Sequence, residues 1–172
     1  LTHLANRRYF MERLQQGVVQ AQSRRHALSI LMMDLDHFKQ INDSFGHAAG
    51  DTALTAFAEL LRALVRMSDL PGRLGGEEFG LYMFDTHRHV AAAVAERIRA
   101  STWELRPNGL DHRLSVSIGI AVLEPEEDAE ALIRRADAAL YQAKNQGRNR
   151  VVIAGPESEH ATGREENAPR KD

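Results

Sequence analysis

The spacing of apolar residues along this chain changes repeatedly between the helical and the strand period, and this predicts a mixed domain. Residues 6–25 place apolar side chains at intervals of four, as a helix with one buried face does: Phe10, Leu14 and Val18. The continuous apolar run at residues 27–33 predicts a buried strand, and residues 38–44 predict a short helix.

The middle of the chain predicts a second helix followed by a hairpin. Asp51 is the predicted N-cap of this helix, which ends near Arg66. Its apolar stripe comprises Leu54, Phe57, Ala58, Leu61 and Val65. Two strands, at residues 72–74 and 79–84, flank Gly75-Gly76, because two glycines are a favoured two-residue hairpin turn.

The second half of the chain continues the alternation. It predicts a helix at residues 87–100, a strand at 113–122, a helix at 128–145 and a closing strand at 149–154. This order of elements predicts an α+β fold with a central, mainly antiparallel sheet and helices packed on it.

Length and composition limit the classes of protein that remain. The 172 residues, 43% of them hydrophobic, support one domain, which we place at residues 1–154, followed by a polar and disordered tail at 155–172. The tail carries five acids and three bases, which leaves 19 of each in the rest of the chain. This neutral balance argues against nucleic-acid or membrane binding through charge. The absence of cysteine excludes disulfides and thiolate metal sites.

The most informative short segment is Gly75-Gly76-Glu77-Glu78-Phe79, in which two glycines precede two carboxylates. Glycines allow a ligand to approach the backbone closely, and carboxylates offer the oxygen ligands that Mg²⁺ prefers. Asp34, at the end of the first apolar run, would point toward the neighbouring strand. Taken alone, such carboxylates are also common in surface turns, at helix caps and in solvated loops.

Four segments in order decide between these readings. They are residues 1–8 (LTHLANRR), residues 34–51 (DLDHFKQINDSFGHAAGD), residues 75–79 (GGEEF) and residues 144–149 (KNQGRN). With these motifs the chain resembles the GGDEF family of diguanylate cyclases over almost its whole length. The resemblance implies the palm-like fold of nucleotidyl cyclases and polymerases.

The resemblance also implies a metal site. In the family, acids at the positions of Asp34, Glu77 and Glu78, with a backbone carbonyl at the position of Leu35, bind two Mg²⁺ ions per active site, with Mn²⁺ as an alternative. Glu77 is also the expected proton acceptor, and its role is not separable from that of Glu78 by sequence. Asp36 is interpreted as structural.

Substrate contacts are implied in the same way. Lys39, Lys144 and Arg148 would contact triphosphate oxygens, Lys39 as part of the catalytic set, and Gly75 and Gly76 would let the phosphates approach the backbone. Lys144 and Arg148, four residues apart, could share a helix face, although basic residues in a last helical turn also complement the helix dipole. Asn42 and Asp51 would bind the guanine base. Ordinary turn and N-cap roles remain open for those two residues.

A further motif suggests regulation by product. Arg66-Met67-Ser68-Asp69 precedes Gly75 by five residues, and an R-x-x-D at this offset matches the family's product-inhibition site. Arg97 matches a further arginine that binds the dimeric product in relatives, although a solvated helix face explains it equally.

The resulting hypothesis is a diguanylate cyclase domain that condenses two GTP into cyclic di-GMP, works as a homodimer and is inhibited by its product. We expect it to be the cytoplasmic C-terminal domain of a larger sensor protein, without membrane or nucleic-acid contacts of its own. One alternative is an inactive GGDEF module that binds GTP or cyclic di-GMP and signals to a partner. Another is a cyclase that makes a cyclic mononucleotide.

Overall fold

The computed structural model describes residues 1–156, which contain five helices and one five-stranded sheet. The tail predicted at 155–172 lies outside the described residues from residue 157 onward. In chain order the elements are α1 (Arg7–Arg24), β1 (Leu28–Leu35), α2 (Phe38–Phe45), α3 (His47–Leu64), β2 (Leu70–Gly75), β3 (Glu78–Phe84), α4 (Arg88–Glu104), β4 (Val116–Val122), α5 (Ala129–Asn145) and β5 (Val151–Ile153).

The sheet has the strand order β2-β3-β1-β4-β5. The β2–β3, β3–β1 and β1–β4 pairs are antiparallel, and β4–β5 is parallel. This confirms the prediction of a mainly antiparallel sheet flanked by helices.

Strand β1 lies at the centre and is buried along its whole length. Because side chains alternate across a strand, Leu28, Ile30 and Met32 pack with α1 and α5, whereas the intervening residues pack with α3 and α4. Each such large apolar side chain contributes about 1.5–3 kcal/mol when it is fully buried. The next position on the α1 and α5 side is Asp34, so the hydrophobic alternation itself sets where this carboxylate points.

Three local predictions are wrong. Helix α3 begins at His47 with Gly46 as its N-cap, so Asp51 lies inside the helix and does not cap it. The hairpin turn is formed by Gly76 and Glu77, because Gly75 still pairs with Glu78. The helix predicted at residues 87–100 continues to Glu104.

Helix α5 also stops earlier than a shared helix face for Lys144 and Arg148 requires. It ends at Asn145, and Arg148 has a left-handed backbone with φ of 63°. The Arg148 amide donates to the Ala143 carbonyl at 3.0 Å, which satisfies a carbonyl of the last helical turn. Arg148 is therefore presented by a loop that folds back over the helix end.

Candidate active site

Asp34 lies at the end of β1, between two neighbouring strands. Its cross-strand partners are Glu78 on β3 and Ser117 on β4. The Lys144 Nζ atom, on α5, donates to Asp34 Oδ2 at 2.7 Å, and the Asp34 residue is only 6% exposed. The structure thus joins the first predicted carboxylate to a predicted phosphate-binding lysine.

The surroundings of Asp34 disfavour its charged form. Burial raises the pKa of Asp34 above its ordinary value, and the negative charges of Glu77 and Glu78 raise it further. The hydrogen bond and positive charge of Lys144 lower the pKa, but the net direction remains upward. A divalent cation would compensate this concentration of negative charge, so the residues fit a metal site.

The hairpin tip is held close to the end of β1 by backbone hydrogen bonds. The Leu35 amide donates to the Glu77 carbonyl at 3.2 Å, and Arg73 Nε donates to the Gly76 carbonyl at 2.9 Å. A Cβ atom on Gly76 would meet no other described residue within 4 Å, and φ at this residue is 32°. The tip is fixed by its backbone while its surface stays open to a ligand.

A cavity of about 200 Å³ collects the predicted metal and phosphate residues in one place. Its lining comprises Asp34, Leu35, Asp36, His37, Phe38, Lys39, Glu77, Lys144 and Arg148. Among residues 1–156, no cluster of three or more His, Asp or Glu side chains suited to a metal is found. Mg²⁺ is usually held by one or two carboxylates together with substrate phosphates. The carboxylates of Asp34 and Glu77, with three cationic side chains beside them, match that arrangement.

Asp36, the other acid of this segment, has a different environment. Its carboxylate accepts hydrogen bonds from Ser115 Oγ at 2.7 Å, Ser117 Oγ at 2.6 Å and the Asn149 amide at 3.0 Å. These bonds tie the segment after β1 to the start of β4 and to the loop before β5, which agrees with the structural interpretation of Asp36.

The two predicted base-binding residues lie outside this cavity, on neighbouring helices. Asn42 is on α2 and Asp51 is on α3, where Asp51 is exposed and lines a groove of about 640 Å³ that reaches residues 105–108. The Asn42 Oδ1 atom is buried and, within the described residues, has no hydrogen-bond partner.

The predicted product-binding residues form a separate cluster. Arg66 Nη2 contacts Asp69 Oδ1 at 3.2 Å and Thr86 Oγ1 at 2.8 Å, and Asp69 is buried. Arg97 on α4 donates to the carbonyl of Leu64, two residues before Arg66. Thr86 follows the end of β3 and Glu78 begins this strand, so the cluster lies at the opposite end of a seven-residue strand from Glu78, and such a strand is about 20 Å long.

Two residues beside Glu78 were missed by the sequence prediction. Arg7 and Asp137 line a second cavity, of about 150 Å³, together with Glu78. Burial and the charge of Glu78 raise the pKa of Asp137, whereas Arg7 and Lys144 lower it. The seven-residue spacing between Asp137 and Lys144, about two helical turns, was the available signal that both lie on one face of α5.

Comparison with known proteins identifies the family. The family model described as "Diguanylate cyclase, GGDEF domain" matches residues 1–150. The chain therefore belongs to the GGDEF family of diguanylate cyclases, a family that implies a divalent metal cofactor.

One relative is the diguanylate cyclase DgcM of Escherichia coli strain K12, which is 44% identical over 154 residues, covering 90% of this chain and 37% of DgcM. The chain thus spans less than half the length of such curated relatives. The active GGEEF domain of a Vibrio cholerae diguanylate cyclase superimposes with a TM-score of 0.86 at 35% identity, covering 90% of this chain and 100% of that domain. The GGDEF domain of DgcB from Caulobacter crescentus, solved in complex with c-di-GMP, gives a TM-score of 0.85 at 32% identity, covering 89% and 90%.

No helix among residues 1–156 has the length and apolar character needed to span a membrane.

Proposed function

We propose that this domain is a diguanylate cyclase that condenses two GTP molecules into cyclic di-GMP and releases two pyrophosphates. The observation that supports this most directly is the single cavity that combines Asp34 and Glu77 with three cations, Lys39, Lys144 and Arg148. A triphosphate brings four negative charges and needs both kinds of group, cations for its oxygens and carboxylates for its metal ions.

The acidic and the basic residues have different tasks in this proposal. Asp34, Glu77, Glu78 and the Leu35 carbonyl would hold two Mg²⁺ ions, or Mn²⁺ in their place, and such ions supply activation of the attacking hydroxyl and neutralisation of the leaving pyrophosphate. Lys39, Lys144 and Arg148 bind the triphosphate oxygens, and Gly75 and Gly76 leave room for them along the backbone.

The reaction forms one bond and breaks one in each half. Glu77 accepts the proton of a ribose 3′-hydroxyl, whose oxygen attacks the α-phosphate of the GTP held by a second copy of the domain. The new phosphodiester replaces the bond between the α- and β-phosphates, and pyrophosphate leaves. The 3′-hydroxyl of the second GTP attacks the α-phosphate of the first in the same way, and this closes the ring. Two domains must therefore face each other.

Base selection gives the first test. Asp51 accepts hydrogen bonds from the N1–H and N2–H₂ groups of guanine, which adenine lacks on that edge, and Asn42 supplies a second contact. Losing one charge-assisted hydrogen bond costs about 1.5–3 kcal/mol, so we expect initial rates at least about tenfold higher with GTP than with ATP. Chromatography with mass spectrometry measures both products. Equal rates would contradict base reading by these residues.

Product inhibition is the second test. Cyclic di-GMP should bind at the Arg66, Asp69 and Arg97 cluster, and Arg66→Ala should weaken this binding about tenfold or more because a guanidinium–phosphate pair is lost. Isothermal titration of cyclic di-GMP into both proteins measures the change. Arg8→Ala is the matched control, since Arg8 is exposed and, within residues 1–156, pairs only with its helical neighbour Glu12 at 3.1 Å. Equal affinities for Arg66→Ala and the parent would exclude this site.

Dependence on domain pairing is the third test. The chain carries one set of nucleotide-binding residues and no internal repeat, whereas the product has two identical halves. Specific activity of the 172-residue chain should therefore rise with its concentration, and a dimeric coiled coil fused ahead of Leu1 should raise it further through effective concentration. A dilution series monitored by sedimentation measures this. A flat profile from a monomeric protein would refute the pairing.

The alternatives predict different products. A binding module without turnover would yield no cyclic di-GMP from GTP and Mg²⁺ yet would still bind the nucleotide. A mononucleotide cyclase would yield a cyclic product of half the mass. The assembled cavity and the complete set of motif residues favour the diguanylate cyclase over both.

A further inference from the structure

Helix α3 contains a buried glycine, Gly50, in its first turn. Glycine in a helix costs about 0.5–1 kcal/mol relative to alanine, so such a residue needs a reason. The backbone does not supply one, because Gly50 is absent from the residues with positive φ, which include Gly46 and Gly76. The reason must lie in what occupies the space beside it.

That space is filled by the side chain of Asn42. A Cβ atom on Gly50 would overlap Asn42 Oδ1, well inside the 3.0 Å that real Cβ contacts keep, and would lie 3.1 Å from Phe38 Cζ. The overlapped oxygen is the same buried atom that has no hydrogen-bond partner among the described residues. The Asn42 side-chain carbonyl thus packs against the backbone of Gly50, where it makes no hydrogen bond to another described residue.

This packing determines which polar group Asn42 can offer. With Oδ1 buried against α3, the NH₂ group is the part of the amide that remains to meet a ligand, and it is a donor. The next residue along α3 is Asp51, an exposed carboxylate that can only accept when ionised. Asn42 on α2 thus offers a donor and Asp51 on α3 an acceptor, which suits a base edge that carries an acceptor next to donors, as guanine does.

We propose that Gly50 is a specificity-determining positioning residue, whose missing side chain lets the Asn42 amide lie with its carbonyl against α3 and its NH₂ group toward the base. The inference rests on the proposed use of guanine nucleotides. It assigns Asn42 to an acceptor on the base and leaves the N1–H and N2–H₂ donors to Asp51.

The test is Gly50→Ala. Alanine favours the helix, and the clash falls on the end of a flexible side chain, so the variant should fold with a thermal midpoint close to that of the parent. The displaced Asn42 amide should weaken binding of a non-hydrolysable GTP analogue with Mg²⁺ about tenfold, the cost of one hydrogen bond to a buried partner. The ratio of GTP to ATP rates should fall with it.

Double-mutant analysis separates this role from general packing. In an Asn42→Ala background, Gly50→Ala should cause no further loss of analogue binding, because the amide it displaces is gone. Asn42→Asp, which keeps the size but removes the donor, should lose as much affinity as Asn42→Ala. Full affinity in Gly50→Ala, or equal losses in both backgrounds, would overturn the proposal.

A matched control is Gly17→Ala, which also places a Cβ in a buried helical position, against the Tyr82 ring. It should lower stability but leave the ratio of GTP to ATP rates unchanged. If Gly50→Ala does not fold, the double variant Asn42→Ala/Gly50→Ala decides the matter. A folded double variant would place the clash at Asn42, and an unfolded one would refute the proposal. A parent that binds the analogue without making cyclic di-GMP would contradict the proposed catalysis while leaving this test intact.

Discussion

Asp34→Asn should abolish nearly all cyclic di-GMP synthesis without lowering the stability of the domain. The carboxylate is the proposed metal ligand, so its loss removes catalysis. Burial and the neighbouring Glu77 and Glu78 disfavour its charge in the folded protein by more than Lys144 favours it, because the net pKa shift is upward. A neutral isostere removes this cost, and the free energy of unfolding in metal-free buffer should be unchanged or higher.

The upward pKa shift of Asp34 also predicts how the stability difference between the parent and Asp34→Asn depends on pH. An acid whose pKa is raised by folding binds its proton more tightly in the folded chain, so its charge costs stability once the pH passes its ordinary value of 3.8. The stability of the parent relative to Asp34→Asn should therefore fall as the pH rises from that value through the folded pKa. Urea unfolding at several pH values with a chelator measures this difference, and a difference that grows in favour of the parent would contradict the argument.

Asp36→Asn is the natural comparison, since the two carboxylates are two positions apart on the same segment. Asp36 accepts three hydrogen bonds, and an amide can reproduce them only in part. We expect this variant to be destabilised by about 1.5–3 kcal/mol, the usual contribution of a hydrogen bond to a charged group. Opposite outcomes for Asp34 and Asp36 would separate the functional carboxylate from the structural one.

Glu77→Gln is expected to reduce the turnover number to near background while leaving thermal unfolding unchanged. Glu77 contacts the rest of the domain through its backbone carbonyl, which the Leu35 amide binds, so the substitution leaves that bond in place. A glutamine neither accepts the 3′-hydroxyl proton nor neutralises a cation. Product formation and circular dichroism on the same preparation measure the two quantities.

Glu78→Gln is the variant to compare with it. If Glu77 is the proton acceptor and Glu78 mainly holds metal, raising the Mg²⁺ concentration should restore activity in Glu78→Gln and not in Glu77→Gln. Near-normal turnover in a folded Glu77→Gln protein would exclude Glu77 from catalysis.

The sequence predicted the sheet, and the proximity of Asp34 to the hairpin acids, because both depend on local pattern. The apolar run of β1 ends at Asp34, and the hairpin glycines precede Glu77, so the two carboxylates follow from strand pairing. The prediction that Asp51 is an N-cap was wrong because an acid at the start of an apolar stripe resembles an N-cap even when the helix begins several residues earlier. Here the N-cap is Gly46, with φ of 87°, five residues before Asp51.

Other features depend on tertiary packing and were beyond local pattern. Arg7 and Asp137 meet beside Glu78 because α1 and α5 pack on the same face of the sheet, and no short motif contains both. Gly50 reads as a weak helix residue until the Asn42 side chain is placed next to it.

The bond between Asp34 and Lys144 joins positions 110 residues apart, and this separation has a consequence for synthesis on the ribosome. Asp34, Glu77 and Glu78 emerge early, whereas the lysine that pairs with Asp34 emerges only with the last helix. A nascent chain that ends before Lys144 carries its acidic cluster without that counter-charge. Because domains generally fold as units, the order of translation delays a complete site until α5 has docked, and an unfinished chain cannot engage the nucleotide as the finished domain does.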